Sequence, residues 1–77
     1  MKVKIIVTLK TGVLDPQGKA IQQTLNGMSF SNVAEVRQGK FFEININENS
    51  ETKAKSQVEE MCKKLLANLV IEDYKII

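Results

Sequence analysis

Histidine is absent from this chain, and Cys62 is its only cysteine. Each scarcity removes a class of chemistry. Without an imidazole there is no Ser-His or Cys-His nucleophile pair. Without a C-x-x-C or Cys/His spacing, no structural zinc site is expected. One thiol cannot close an internal disulfide, so a reduced compartment, most simply the cytoplasm, is expected. Long apolar runs are missing too. Nothing approaches the ~20 residues that span a bilayer, and the alternating start Met1-Lys2-Val3-Lys4-Ile5 does not read as a secretory leader. Charge is nearly balanced, with 11 Lys and Arg against 9 Asp and Glu. The signs are interspersed, whereas a nucleic-acid binder concentrates basic charge on one face. Neither a nucleic acid nor a membrane is expected as a partner.

What is present is a regular pattern of elements. With 77 residues the chain makes a single domain, 1–77, whose core stabilises it by only a few kcal/mol. A domain this small, with no disulfide or metal, often leans on oligomerisation. Residues Lys2 to Leu9 alternate, with Val3, Ile5 and Val7 on one face, and predict a strand. Asp15 stands where an N-cap belongs and Pro16 at the first helical position. The helix is expected from about Pro16 to Asn26, with Ala20, Ile21, Leu25 and Met28 as its apolar stripe and Gly27 placed to take a left-handed stop. Between 32 and 47 the apolar residues Val36, Phe42, Ile44 and Ile46 are all even-numbered. Glu35, Arg37, Glu43, Asn45 and Asn47 are odd. A two-residue hairpin at Gln38-Gly39 would scramble that face. A three-residue loop keeps it, and so does one long strand bent at Gly39, which would need a second subunit to pair with. Asn49-Ser50 caps a second helix whose stripe is Ala54, Val58, Met61, Cys62, Leu65 and Leu66. Residues 69–77 form a last strand. The order β-α-β-(β)-α-β predicts an α+β two-layer sandwich of ferredoxin-like character, two helices on one face of a mainly antiparallel sheet, completed or extended by a second subunit.

Several residues stand out against this background. Gly18 lies inside a first helical turn, where glycine costs up to ~1 kcal/mol relative to alanine. Either something approaches the backbone closely there or the site tolerates it. The stretch Gly12 to Gly18 is not a phosphate loop, because it lacks the Gly-Lys-Ser/Thr ending and Asp15 occupies the anion's place. In Arg37-Gln38-Gly39-Lys40 two cations flank a glycine. They either meet a carboxylate on a partner or form a solvated turn. Phe41-Phe42 puts aromatics on both faces of one strand, so Phe41 leaves the core face and is a candidate for a subunit interface. Cys62 is expected to be a buried thiol, since a reactive one needs an exposed electropositive setting. No catalytic, cofactor-binding or metal-binding residue is assigned. From the residues alone the chain is an interaction module. It could be a non-catalytic subunit of an enzyme complex. It could be an ACT-like small-molecule regulatory domain, with Gly12 as a faint ligand loop. It could also be an RNA-recognition-type domain, from Gly39-Lys40-Phe41-Phe42.

Val7-Thr8-Leu9-Lys10, then Gly12-Val13-Leu14-Asp15-Pro16-Gln17-Gly18 with Ala20-Ile21, then Val36-Arg37-Gln38-Gly39-Lys40 with Glu43 resemble the small PurS subunits of phosphoribosylformylglycinamidine synthase. The resemblance covers essentially the whole chain. Met28-Ser29-Phe30 departs from the family's Leu-Gly-Phe. The resemblance implies a non-catalytic subunit of a ligase complex in purine biosynthesis. That complex converts formylglycinamide ribonucleotide, glutamine and ATP to formylglycinamidine ribonucleotide, glutamate, ADP and phosphate. It implies two partners, a glutaminase subunit (PurQ) and a synthase subunit (PurL), bridged for ammonia transfer. It also implies a homodimer or tetramer, with ATP and Mg used by the synthase and no cofactor on this chain. The candidate partner interface is Asp15, Gln17, Gly18, Arg37, Gly39, Lys40 and Phe41.

Overall fold

The alternating stretch near the start becomes the centre of the molecule. In a computed structural model describing residues 1–77, strand β1 (Lys2–Leu9) runs between β2 (Lys40–Asn45) and β3 (Glu72–Ile76), antiparallel to both. The register sets Ile5 opposite Phe42 on one side and Ile76 on the other. Helix α1 (Pro16–Gly27) joins β1 to β2, and α2 (Glu51–Met61) joins β2 to β3. The α+β class and the order of elements are those expected.

The core forms where α2 lies against the odd residues of β1. Val3, Ile5 and Val7 meet Val58, Cys62 and Ala67, and Phe42, Ile44, Ile46, Tyr74 and Ile76 pack around them. The even-odd rule holds through β2: Phe42, Ile44 and Ile46 are half-buried, while Phe41, Glu43 and Asn45 are exposed. No hairpin closes at Gln38-Gly39. The chain runs from Val33 to Gly39 outside any strand and enters the sheet at Lys40.

Two helix ends depart from expectation. Helix α1 continues through Gly27, and the left-handed residue is Ser29, with φ 81°. The Met28 N–H finds the carbonyls of Thr24 and Leu25 at 3.1 and 3.0 Å, so running on through Gly27 satisfies one more donor. After α2 the chain makes a π-helical turn, Cys62–Leu66, in which the Ala67 N–H donates to Cys62 O at 2.9 Å. The extra residue in that turn rotates Leu65 out to solvent and carries Ala67 into the core. The expected stripe keeps Ala54, Val58, Cys62 and the half-buried Leu66, but Leu65 and Met61 are at the surface. The last strand begins only at Glu72, because Ile71 and Glu72 first donate back to Asn68 O at 3.0 and 2.7 Å.

The two helices contribute unequally. Helix α2 builds the core. Helix α1 buries only Gly18; its Ile21 is exposed, as is Met28 just past its end. The molecule is consequently long, 50 × 23 × 14 Å. Its radius of gyration is 16.0 Å, against about 11–12 Å for a compact chain of this length.

Candidate interaction site

Two charged side chains are buried, Asp15 at 7% exposure and Glu72 at 8%. Both lie where α1 leaves the sheet, in a cleft of about 350 Å3 that Gln17, Gln38, Gly39 and Lys40 also line. The N-cap read from the sequence supplies the first bond: Asp15 Oδ1 accepts from the Gly18 N–H at 2.9 Å. The second oxygen does something local pattern does not show. Asp15 Oδ2 accepts from the Gln38 N–H at 2.7 Å, 23 residues away. The Gln38 and Gly18 N–H groups, with the Arg37 guanidinium nearby, hold the Asp15 carboxyl below its ordinary range, against the opposing effect of burial.

Arg37 completes the junction from the same segment. Its Nη1 donates to Val13 O at 2.9 Å, and its Nη2 to Lys10 O at 3.1 Å and, at the limit of bonding distance, to Leu9 O at 3.5 Å. One planar guanidinium thus gathers the carbonyls of the turn between β1 and α1. A Cβ added to Gly18 would run into Val36 O. Of the two readings of this glycine, close approach holds, and the approaching backbone is the chain's own. At Gly39 a Cβ would lie 2.6 Å from Val7 O, so the segment comes in tight against β1 just before Lys40 pairs with Val7. Lys40 Nζ then stands 3.4 Å from Glu72 Oε2, while Glu72 Oε1 accepts from the Asn68 N–H at 2.7 Å. The Asn68 N–H and Lys40 together hold the Glu72 carboxyl low.

The structure therefore brings Asp15, Gln17, Gly18, Arg37, Gly39 and Lys40 together and separates Phe41 from them. Phe41 is on the outer face of the sheet, in register with Ile6, where both are exposed. Sequence reasoning missed Glu72. The signal was available in its parity, because Glu72 shares the inward face of the last strand with Tyr74 and Ile76. A carboxylate at an inward position has to be paired. Cys62 is buried as expected, and burial followed by the charge of Glu59 pushes its thiol up.

Both carboxylates are committed to the chain's own N–H groups and sit below the range that suits a general base at neutral pH. Their use is architectural, and the acid dependence follows. Each lowered carboxyl contributes stability that is fully present above its ordinary value, 3.8 for Asp15 and 4.5 for Glu72. That contribution is lost as pH falls through the lowered values. Urea unfolding at pH 7 and pH 3 is expected to show a marked acid loss in the parent. An Asp15→Asn, Glu72→Gln double variant starts lower at pH 7 and loses less on acidification. Parallel pH curves for the two proteins contradict this assignment.

Comparison with known proteins places these features in a family. A family model described as PurS, phosphoribosylformylglycinamidine (FGAM) synthase, matches residues 2–77. The chain is 52% identical over 75 residues to the phosphoribosylformylglycinamidine synthase subunit PurS of Methanocaldococcus jannaschii, covering 97% of this chain and 90% of that one. It is 53% identical over 74 residues to the PurS subunit of Bacillus subtilis, covering 96% of this chain and 87% of that one. Among solved structures, a chain of PurLQS from Thermotoga maritima superposes with a TM-score of 0.90 at 30% identity, covering 99% of this chain and 93% of that one.

Proposed function

The chain belongs to the PurS family, the small subunits of phosphoribosylformylglycinamidine synthase in purine biosynthesis, and from that premise we propose that it is the non-catalytic, single-domain bridge of the complex. In this reading it docks a glutaminase subunit of the PurQ kind and an ATP- and Mg-using synthase subunit of the PurL kind. Ammonia released at one site then reaches the other without escaping to water. The observation that carries the reading is the superposition over 99% of the chain on a component of PurLQS. The absence of histidine fits a role in geometry rather than in bond making. Family membership decides against the ACT-like and RNA-recognition-type alternatives. No helix is long and apolar enough to cross a membrane. A free buried thiol, Cys62, fits the cytoplasm.

The same reading includes a homodimer or tetramer. The elongated shape, the exposed Ile6 and Phe41 on the outer sheet face, and two sheet edges without partners support it. Sedimentation at micromolar concentration is expected to show no dominant 8.7 kDa species. The bridging role is tested by co-purification. A tagged chain is expected to retain both larger subunits together, and capture of neither rejects the bridge.

A further inference from the structure

Strand β2 lies at one edge of the sheet, and its free side is set up to take a further strand. Met1 and Ile46 exchange both of their bonds. The Ile46 N–H donates to Met1 O at 2.8 Å, and the Met1 amino group donates to Ile46 O at 2.7 Å. Antiparallel pairs alternate, so in this register Val3 with Ile44 and Ile5 with Phe42 exchange bonds as well. The N–H and C=O groups of Phe41, Glu43 and Asn45 therefore point away from β1, toward an edge with no strand beside it. From Phe41 to Asn45 the strand has no proline, bulge or inward-facing charge, the devices that blunt an edge. The opposite edge is less open. There the inward residue Glu72 is charged, and its N–H already donates to Asn68 O at 2.7 Å. The inner face singles out the same edge. Only α2 contributes a helix to the core, and Phe42, Ile44 and Ile46 are left half-buried beside it.

We infer that the partner at this edge is a second copy of this chain, whose β2 pairs antiparallel across a two-fold axis at Ile44. The inference rests on the oligomer proposed above and gives it a surface. The symmetric registers of greatest overlap that use the free groups centre on Phe42, Glu43 or Ile44. Centring on Glu43 sets two carboxylates directly opposite each other, which is destabilising. Centring on Phe42 sets Ile44 opposite the copy's Lys40. Centring on Ile44 sets Ile44 opposite itself, Phe42 opposite the copy's Ile46, and Glu43 opposite the copy's Asn45. Apolar row then meets apolar row and no like charges meet, so the patch complements itself as a two-fold interface requires. The two sheets become one continuous sheet, and the half-buried row of β2 is covered from its open side.

The register is read by cross-linking. Ile44 and its counterpart form a non-hydrogen-bonded pair, with Cα atoms about 4.5 Å apart, within the range a disulfide spans. Two Phe42 positions are four residues out of step, about 13 Å apart along the strands. Ile44→Cys is therefore expected to give a disulfide-linked dimer under oxidised glutathione, and Phe42→Cys is not. The parent, whose Cys62 is buried, is the control. Asn45→Pro removes an N–H that bonds nothing within the chain. It is expected to keep the parental circular dichroism and to raise the dissociation constant tenfold or more in sedimentation. A link at 42, or none at 44, overturns the pairing. If Ile44→Cys fails to fold, Asn45→Pro decides, and parental association by it overturns the pairing. A parent that sediments as a monomer overturns the oligomer itself. An oligomeric parent without the link at 44 leaves the oligomer standing and rejects only this edge.

Discussion

Gly18→Ala is expected to lower the melting temperature of the free protein, against the direction that helix propensity dictates. In an unobstructed first turn, alanine would gain up to ~1 kcal/mol. Here the new Cβ runs into Val36 O and falls 2.8 Å from Asp15 Oδ2. The nearest obstacle is backbone, so relief requires the return segment to move and loosens the Asp15 bond to Gln38. Forced overpacking costs about 1–3 kcal/mol, which exceeds the propensity gain. A net loss of about 1 kcal/mol lowers the midpoint of so short a chain by roughly 4–8 °C. Gly27→Ala is the control. It lies in the same helix with nothing within 4 Å of the new carbon, and it is expected to raise the midpoint. If both variants stabilise, the segment does not lie against Gly18.

Ile5→Ala is expected to unfold most of the free protein. Ile5 is fully buried in the central strand, between Phe42 and Ile76. Removing its side chain leaves a cavity in a core of six buried residues. Such deletions cost about 2–5 kcal/mol, comparable to the whole stability of a domain this small. Ile6→Ala makes the same chemical change one residue on, and the pleat turns it to the outer face beside Phe41. It is expected to leave the secondary structure intact and to shift sedimentation toward smaller species. Circular dichroism and sedimentation of the pair check both faces of the sheet together. An Ile5→Ala protein as stable as Ile6→Ala contradicts the assignment of faces.

The parts legible in the sequence are those set by local chemistry. Lys2 to Leu9 forms a strand over the expected span because alternation of β-branched residues has no competing reading. Asp15 and Pro16 mark the start of α1 for the same reason. Even-odd parity placed Phe42, Ile44 and Ile46 inward and Phe41 outward. What was not legible depends on contacts between distant residues. The N–H that fills the second oxygen of Asp15 comes from Gln38, and the carbonyl that forbids a side chain at 18 comes from Val36. Neither spacing leaves a periodic trace. The choice between a hairpin and one long strand stayed open because the third solution, a return along α1, makes no strand pairs and so has no strand signature. The π-turn displaced Leu65 from its stripe by one residue, a shift invisible to a 3.6-residue period. The interaction role of Arg37 and Lys40 drew attention through their charge. Their first partners are the chain's own carbonyls and Glu72.

In the proposed role this chain makes a synthase complex work without reacting itself. The most direct measurement is glutamine-dependent formation of formylglycinamidine ribonucleotide by the two larger subunits, titrated with this chain. The expected result is no glutaminase or ATPase turnover by the chain alone, and synthesis that rises with added chain and saturates at a fixed ratio. Synthesis by the two larger subunits that is complete without it, or glutamine hydrolysis by the purified chain alone, contradicts the account.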